Sequence, residues 1–318
     1  MRNLNYVILI MFLIGFSISS NLKAQTTYTV CAGGCDFTTI QAAIDDAGTV
    51  NGDIISILDA VHTESGINVT KNLTIQGLGT GSTIVQAHAD QGSATDRVFN
   101  DTAGSNNVTF SDMTVMHGNV TGRGGGIYSY DDEVTISDCI IRDNDVTADG
   151  GGVYIDYYGS GSITNSTISS NNSGGVGGGL YNYGAIASIT NSTFNNNTSS
   201  NEGGGIYNHY YGTISSMTIS TIGNNEVTAA NGNGGGLYNH GTITSLLNCT
   251  ISGNICEIYG GGIYNIGTIT LGSVTIANNE CGSDGGGLRM ADGSLIIKNT
   301  IIGNNSHTDP VLTADDYY

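Results

Sequence analysis

Tyrosine is the residue type whose spacing points most directly to surface chemistry. Between residues 124 and 288, Gly-Gly-Gly followed by an aliphatic residue occurs seven times, and in six copies a tyrosine comes next. These six are Tyr128, Tyr154, Tyr181, Tyr207, Tyr238 and Tyr264, and close to them in sequence lie Tyr130, Tyr157, Tyr158, Tyr183, Tyr210 and Tyr211. A tyrosine combines an apolar face with a polar tip, so an outward row could bind sugar rings or a partner protein. Ring stacking between neighbouring strands explains the same row, and the pattern leaves both roles open.

Acid–base catalysis has few candidate residues in this chain. Proton abstraction by a basic residue, or hydrolysis by paired carboxylates, requires several charged groups held close together. Six basic residues follow the N-terminal segment, at widely separated positions: Lys71, Arg97, Arg123, Arg142, Arg289 and Lys298. The acidic pairs Asp45-Asp46 and Asp131-Asp132 have no accompanying histidine and lysine, so we interpret them as solvated turn residues. We therefore expect no catalytic residues in this sequence.

Metal binding has two weak candidate patterns. Asp149, Glu202 and Asp284 each precede a glycine triplet and could contact Ca²⁺, which prefers several oxygen ligands. They do not fall in consecutive repeats, which favours ordinary turn roles. His209 and His240 follow a Tyr-Asn pair in consecutive repeats, but two histidines without a carboxylate make a poor metal site. We expect no metal and no cofactor, with a structural Ca²⁺ as the alternative.

The elements that position these residues follow from the repeat. Successive triplets start 26, 27, 26, 31, 26 and 25 residues apart, a period typical of a solenoid. Short alternating segments of threonine and β-branched residues predict about three strands in each repeat, without a helix between them. This pattern predicts an all-β fold, a single-stranded right-handed parallel β-helix. The long repeat, from 203 to 234, should accommodate its extra residues in loops around His209–Tyr211 and Val227–Gly232.

An asparagine recurs three residues after an aliphatic or phenylalanine side chain in each repeat. Coils of a parallel β-helix stack about 4.8 Å apart, so repeat-equivalent residues lie above one another. Buried asparagines in such a row can pair with the amides above and below, which offsets the cost of burial. The predicted ladder consists of Asn144, Asn171, Asn197, Asn225, Asn254 and Asn279. In the same geometry, the aliphatic residue after each triplet should point inward and the tyrosine outward.

The segment before the repeats divides into two parts. Residues 1–24, with Arg2 and an apolar run, resemble a secretory signal peptide that is too short to span a membrane. Residues 25–100 should form a cap and the first coils, including a short helix opened by a Thr38-x-x-Gln41 capping box and stopped at Gly48. Its apolar face, Ile40, Ala43, Ile44 and Ala47, should cover the open end of the solenoid. Residues 101–306 hold the repeats, and 307–318 form a tail.

The charge of the chain limits its partners. The whole sequence carries a net charge of −19, and without Arg2 and Lys23 it holds 6 basic and 27 acidic residues, a net of −21. Such an excess of negative charge disfavours nucleic acid and bare anionic polysaccharide as partners. It favours solubility outside the cell instead.

The repeat also predicts which cysteines pair. Cys256 and Cys281 each lie two residues after a ladder asparagine on adjacent coils, which brings their Cα atoms within disulfide range. Cys31 and Cys35 flank Ala-Gly-Gly and could close a local loop before the cap helix. Cys139 and Cys249 share a row but stand four coils apart, so a disulfide cannot join them. We expect two disulfides, Cys256–Cys281 and Cys31–Cys35, and two free thiols.

The run from Tyr28 to Gly79 resembles the N-terminal coils of pectin-lyase-like right-handed β-helix proteins. The similarity lies in Phe-Thr-Thr-Ile-Gln-Ala-Ala-Ile (37–44) and Leu-Thr-Ile-Gln-Gly (73–77). The Gly-Gly-Gly-Ile elements and Phe194-Asn-Asn-Asn197 resemble repeats of polymorphic outer membrane proteins and of choice-of-anchor Q type secreted bacterial proteins. The resemblance covers about residues 28 to 306 and implies the fold, but not one activity, because one fold hosts many activities.

The chain end is a further point of comparison. Choice-of-anchor Q proteins usually continue past an element similar to Asn299–Asn304, so we expect the natural protein to extend beyond Tyr318. The last coil, near Leu295–Asn304, would otherwise present unpaired strand edges. Such edges favour further pairing, so we expect self-association through this coil.

These observations predict a secreted or cell-surface protein with a non-catalytic role in adhesion, binding a glycan or a surface protein. One alternative is a polysaccharide lyase or glycoside hydrolase. Val61-His62-Thr63-Glu64 is similar to the start of pectin methylesterases, but the catalytic glutamine and aspartate elements of that family have no match here. The other alternative is a purely structural spacer.

Overall fold

The computed structural model describes residues 24–101, 107–131 and 133–308, which form an all-β, right-handed parallel solenoid. Each regular coil passes through four sheets, called I to IV here in the order in which the chain enters them after a glycine triplet. The expected three strands per coil are thus corrected to four. The additional strand is only two residues long, too short to show an alternating pattern in the sequence.

The strands of each sheet pair in parallel with their counterparts one coil away. Sheet I contains Ile67–Val69, Phe99–Asp101, Ile127–Ser129, Val153–Ile155, Leu180–Asn182, Ile206–Asn208, Leu237–Asn239, Ile263–Asn265 and Leu288–Met290. Sheet II contains Thr27–Val30, Ile54–Ile57, Thr74–Gln76, Asn107–Ser111, Glu133–Ser137, Ser160–Thr164, Ala185–Thr190, Thr213–Ile214, Met217–Thr218, Thr242–Leu247, Thr268–Gly272 and Ser294–Lys298. Sheet III contains Val61–Thr63, Ile84–Gln86, Thr114–Met116, Ile140–Arg142, Thr167–Ser169, Thr193–Asn195, Thr221–Gly223, Thr250–Ser252, Thr275–Ala277 and Ile301–Gly303. Sheet IV contains Asn119–Val120, Asp145–Val146, Asn172–Ser173, Thr198–Ser199, Glu226–Val227, Ile255–Cys256, Glu280–Cys281 and Ser306–His307.

The hydrophobic core runs along the inside of the coils. Because side chains alternate between the two faces of a strand, the middle residue of each sheet III strand points inward. In the repeats these residues are Ile141, Ile168, Phe194, Ile222, Ile251 and Ile276, all fully buried and stacked in register. The aliphatic residue after each triplet is buried as predicted.

The long repeat accommodates its extra residues in two loops, as predicted. Five positions separate Asn208 from Thr213, whereas three separate Asn182 from Ala185 in the preceding coil. The other insertion lies between Val227 and Leu237. Pairing on either side is kept, so the insertions leave the strands in register.

The predicted asparagine ladder is confirmed. Each member is buried, and its Nδ2 donates to the Oδ1 of the next ladder asparagine at 2.8 to 3.0 Å, through the six predicted residues and on to Asn305. A second ladder, which we did not predict, follows the tyrosine row. It joins Asn182, Asn208, Asn239 and Asn265 through side-chain hydrogen bonds of 2.6 to 2.8 Å. Two internal amide ladders therefore brace the coils.

The cap helix spans Ile40–Asp45 and buries Ile40, Ala43 and Ile44. The predicted Thr38 capping box is wrong by one residue: Thr39 is the N-cap and accepts a hydrogen bond from the Ala42 amide at 3.1 Å. The helix ends before Ala47, which is exposed. A long-range contact determines where the helix begins, because the carboxylate of Glu64 accepts hydrogen bonds from the Ile40 and Gln41 amides.

A buried histidine joins this cap to the first coils. The His62 imidazole lies between Asp59, 3.1 Å from Nδ1, and Glu64, 2.9 Å from Nε2. Burial by itself would lower the pKa of His62, but the hydrogen bonds and charges of Glu64 and Asp59 outweigh it and raise this pKa. Burial would raise the pKa of Glu64, but hydrogen bonds from His62 and the helix amides lower it.

We expect this arrangement to stabilise the cap most between about pH 4.5 and pH 6.5. The contribution of His62 to the free energy of unfolding is complete below the unfolded-state pKa of this histidine, and it is lost as the pH rises through the raised folded-state pKa. The contribution of Glu64 to the free energy of unfolding is complete above the unfolded-state pKa of this carboxyl group, and it is lost as the pH falls through the lowered folded-state pKa. Thermal unfolding should be measured from pH 4 to pH 9 for the wild type and for a His62→Gln variant. The wild type should have the higher unfolding midpoint at acidic pH, and this difference should disappear at alkaline pH. Parallel pH profiles for the two proteins would contradict the assignment.

The cysteines only partly follow the sequence prediction. Cys31 and Cys35 form the disulfide expected for their loop. Cys256 and Cys281 are partners on adjacent coils, but both are buried free thiols, so the predicted disulfide is corrected. In-register Cβ atoms keep the coil spacing of about 4.8 Å, whereas a disulfide needs about 3.8 Å. Each thiol instead donates to a carbonyl oxygen of its own coil, that of Tyr259 or Ser283, at 3.1 Å.

The two chain ends fall largely outside the described residues. The predicted signal peptide is outside them except for Ala24, and so are residues 309–318 of the tail. No helix in the described part of the chain is long and apolar enough to cross a membrane. In the last described coil, Ile296, Ile297 and Ile301 have exposed side chains. Self-association through this coil stays a prediction.

Candidate functional site

The predicted tyrosine row forms a closed stack and not an exposed platform. Consecutive rings from Tyr128 to Tyr264 are nearly parallel, with centroids 4.6 to 5.3 Å apart. Tyr154 is only 1% exposed, and Tyr181, Tyr207 and Tyr238 are also buried. Of the two roles that the sequence left open, this geometry favours stacking: the rings point out of the coil, but the four inner rings are each covered by a neighbour above and below.

Positively charged side chains seal part of this stack. The guanidinium of Arg97 lies 4.5 Å from the ring centroid of Tyr128, and that of Arg123 lies 5.2 Å from that of Tyr154. Burial raises the pKa of Tyr128 to about 12, helped by its hydrogen bond to Asp156. The stacked phenols are therefore neutral near pH 7 and serve to hold the coils together.

Two of the three acidic residues before the triplets have arginine partners, and the third, Glu202, is partly buried. Asp149 pairs with Arg123 at 3.3 Å, and Asp284 lies 3.9 Å from Arg289. Burial raises the pKa of Glu202. Residues 24–101, 107–131 and 133–308 contain no group of three or more His, Cys, Asp or Glu side chains placed to hold a metal ion.

The exposed tyrosines form a separate cluster beside the stack. Two four-residue turns, 156–159 and 209–212, each contain Tyr-Tyr-Gly and lie two coils apart. Tyr158 is 70% exposed and Tyr210 is 60% exposed, and their neighbours Tyr157 and Tyr211 are also exposed. The Tyr157 and Tyr211 rings meet edge to face, with centroids 5.3 Å apart, which joins the two turns into one aromatic surface.

A column of glycines runs parallel to the solenoid axis, next to these exposed tyrosines. Each glycine immediately precedes a sheet II strand: Gly159, Gly184, Gly212, Gly241, Gly267 and Gly293. Successive turns pack so closely that a Cβ on Gly241 would lie within 3.0 Å of the Gly212 and His209 carbonyl oxygens. Amide-to-carbonyl hydrogen bonds of 2.8 to 3.0 Å join each turn to the next. The close stacking thus leaves a floor without side chains.

This floor and the residues beside it form a groove, called the axial groove below. One wall carries the exposed tyrosines and His240, and the other carries the first residues of the sheet II strands, Ser160, Ala185, Thr213, Thr242 and Thr268. Two arms with volumes of ≈ 450 Å³ and ≈ 600 Å³ meet at Tyr211 and Thr213. The longer arm ends at Asp292 and Gly293.

The axial groove carries little charge. Asp292 is the one charged side chain among the residues that line its two arms. Burial lowers the pKa of both His209 and His240, and the proximity of His240 lowers that of His209 further, so both imidazoles are neutral at pH 7. Their ring centroids are 6.4 Å apart, slightly more than the coil spacing expected from the sequence.

The basic residues lie elsewhere in the described part of the chain. Lys71 donates to the carbonyl oxygens of Ile44 and Asp46 at the end of the cap helix, and Arg142 pairs with Asp143. Arg97 and Arg123 contact the tyrosine stack. The groove therefore offers aromatic faces, hydroxyl groups and exposed backbone, which are suited to binding.

Sequence reasoning missed the groove, although a signal for it was present. A single glycine precedes the first sheet II strand of each coil from Ser160–Thr164 onward, in addition to the conspicuous triplets. The Tyr-Tyr-Gly turns were visible in sequence as tyrosines near the row. Their exposure depends on turn length, because residues in a four-residue turn lie further from the coil than those in a two-residue turn.

Comparison with known proteins agrees with the β-helix fold. The repeat model described as Chlamydia polymorphic membrane protein repeat matches residues 191–209, which contain ladder residue Asn197, one glycine triplet, Tyr207 and His209. The chain is similar to the crystal structure of pectate lyase Pel9A, with a TM-score of 0.51 and 12% sequence identity, over 92% of this chain and 83% of that one. At this identity the similarity shows the β-helix fold alone. The search of curated proteins gave no match.

Proposed function

We propose that this protein acts outside the cell or at its surface as a non-catalytic, glycan-binding β-helix protein, and that it binds through the axial groove. The signal-peptide-like N-terminus, the polymorphic membrane protein repeat and the pectate-lyase-like fold support the location. The observation that carries the binding role is the cluster of exposed tyrosines above a glycine floor. Sugar rings present apolar C–H faces and hydroxyl groups, which match an aromatic wall facing a hydroxyl wall.

The aromatic cluster favours a binder over a spacer. Tyr157, Tyr158, Tyr210 and Tyr211 leave large apolar faces in water on one side of the solenoid. A patch of this kind marks an interaction site more often than a structural one. The six stacked tyrosines already brace the coils, so the exposed cluster is not needed for that purpose.

The charges beside the groove favour binding over catalysis. A polysaccharide hydrolase needs two carboxyl groups close to the scissile bond, and a lyase needs a base at the substrate. The lining residues include a single carboxylate, Asp292, at one end of the groove. The arginines on the tyrosine stack contact Tyr128 and Tyr154, two tyrosines that do not line the groove.

Substituting Tyr158 and Tyr210 together with alanine is expected to weaken glycan binding at least about tenfold, because these rings supply the exposed stacking faces. A glycan array identifies the bound structures, and titration calorimetry then measures the affinity. Tyr130→Ala is the matched control: Tyr130 is also exposed but does not line the groove, so binding should be unchanged.

Two outcomes would contradict the proposed function. Equal affinity of the double variant and the wild type would show that binding does not use the groove. Release of unsaturated products or reducing ends from a bound polysaccharide would show catalysis. Thermal unfolding of each variant separates these outcomes from misfolding, since surface substitutions at exposed rings should leave the midpoint nearly unchanged.

A further inference from the structure

The groove's direction limits the shape of its ligand. The glycine floor crosses six successive turns, from Gly159 to Gly293, and at about 4.8 Å per coil it extends over roughly 24 Å. Its hydroxyl wall is a column of equivalent residues from successive coils, and four of these five residues, all except Ala185, place a hydroxyl group along the axis. A site that repeats in this way suits an extended chain lying parallel to the axis, with its length across the strands.

The walls of the groove carry complementary groups along this direction. Thr213, Thr242 and Thr268 are paired in register on adjacent strands, which gives a row of hydroxyl-bearing side chains at the coil spacing. On the facing wall, the two Tyr-Tyr-Gly turns lie beside Ser160 and Thr213, and their Tyr157 and Tyr211 rings meet to form one continuous aromatic surface. His240 and Ile266 continue this wall beside Thr242 and Thr268. An unbranched chain of sugar rings can alternate apolar faces and hydroxyl groups at both walls.

The charge of the groove selects among such chains. None of the residues that line its two arms is a lysine or arginine, and the carboxylate of Asp292 lies at one end. A chain bearing a carboxylate or sulfate on each sugar would lose hydration in the groove without gaining a cationic partner. It would also meet the repulsion of a protein with a net charge of −19.

Resting on the proposed function, we infer that the axial groove binds an uncharged, unbranched, extended glycan that runs along the solenoid axis. A uronate-containing polymer is excluded by the absence of cations from the lining, and a single sugar or disaccharide would occupy only a fraction of the length. The tyrosine turns and the threonine row then act as successive subsites. The affinity should therefore increase with the length of the oligosaccharide.

Titration calorimetry with cello- and manno-oligosaccharides of two and six sugars, and with hexagalacturonate, tests the inference on the whole protein. The wild type should bind at least one neutral hexasaccharide about tenfold or more tightly than both its disaccharide and hexagalacturonate. Thr242→Lys places a cation in the hydroxyl wall. This variant should reduce or reverse the difference between the affinity for the neutral hexasaccharide and the affinity for hexagalacturonate. Thr244→Lys is the matched control, because Thr244 is exposed on the same strand and outside the groove lining.

The outcomes separate this inference from the proposed function. Tighter binding of hexagalacturonate by the wild type would overturn the inference and leave glycan binding in place. Equal affinity for the disaccharide and the hexasaccharide would overturn the axial orientation alone. Absence of binding to every neutral and acidic oligosaccharide, and to a glycan array, would overturn both. If Thr242→Lys and Thr244→Lys change the hexagalacturonate affinity equally, the effect is one of overall charge, and the placement of the site is wrong.

Discussion

Replacing Gly241 with alanine is expected to lower the free energy of unfolding by more than about 4 kcal/mol or to prevent folding. The new Cβ would lie within 3.0 Å of two backbone carbonyl oxygens, those of Gly212 and His209. Backbone atoms cannot rotate away as a side chain can, so the turns would have to separate. That separation would lengthen the hydrogen bonds that join them, including Thr242 N to Gly212 O at 3.0 Å.

Soluble yield and the thermal unfolding midpoint measured by circular dichroism check this prediction. Gly303→Ala is the matched control, because Gly303 lies in a strand and a Cβ there would meet nothing within 4 Å. The control should be close to the wild type. A Gly241→Ala protein with the wild-type midpoint would show that the turns are further apart than the structure has them, and the bare floor of the groove would lose its explanation.

Replacing Asn225 with alanine is expected to lower the free energy of unfolding by about 3 to 5 kcal/mol. The Asn225 Nδ2 donates to Asn254 Oδ1 at 2.9 Å and to the Phe194 carbonyl oxygen at 3.0 Å. Its Oδ1 accepts hydrogen bonds from the amide and the Nδ2 of Asn197, both at 3.0 Å. Alanine would leave these four partners without Asn225, in a place without access to water.

Urea denaturation monitored by circular dichroism measures the loss, because the midpoint and slope together give the free energy of unfolding. Asn172→Ala provides the control: Asn172 is an exposed asparagine on a sheet IV strand, and its substitution should change stability by less than about 0.5 kcal/mol. Equal losses for the two variants would contradict the ladder's role. A smaller slope for Asn225→Ala would instead indicate that part of the solenoid unfolds separately.

The axial neighbours of each residue could be predicted from the sequence. Asn144 to Asn279 form one hydrogen-bonded row, and Cys256 lies above Cys281, as the repeat indicated. The physical reason is that parallel coils stack at one fixed spacing, so a residue meets its counterpart one repeat later. Insertions in turns do not disturb this relation, which is why the long repeat kept its strands in register.

Local chemistry at a contact was not predictable from the repeat alone. The thiols of Cys256 and Cys281 are neighbours, yet each donates to its own coil, because in-register side chains run parallel and do not converge. The cap helix begins one residue later than its sequence pattern indicated, because Glu64, which follows the strand Val61–Thr63, accepts hydrogen bonds from its first amides. Such contacts join segments that no periodicity relates.

The burial of the tyrosines was decided only by the tertiary structure. Tyr154 and Tyr158 are four residues apart, but one is closed within a ring stack and the other is exposed beside a groove. The repeat determines what lies above and below a residue along the axis. What lies beside it around the coil depends on the lengths of individual turns, such as the four-residue turns at 156–159 and 209–212, which do not follow the period. The sequence by itself therefore determined the solenoid and its ladder from Asn144 to Asn279, whereas the second ladder and the position of the candidate binding groove required the folded chain.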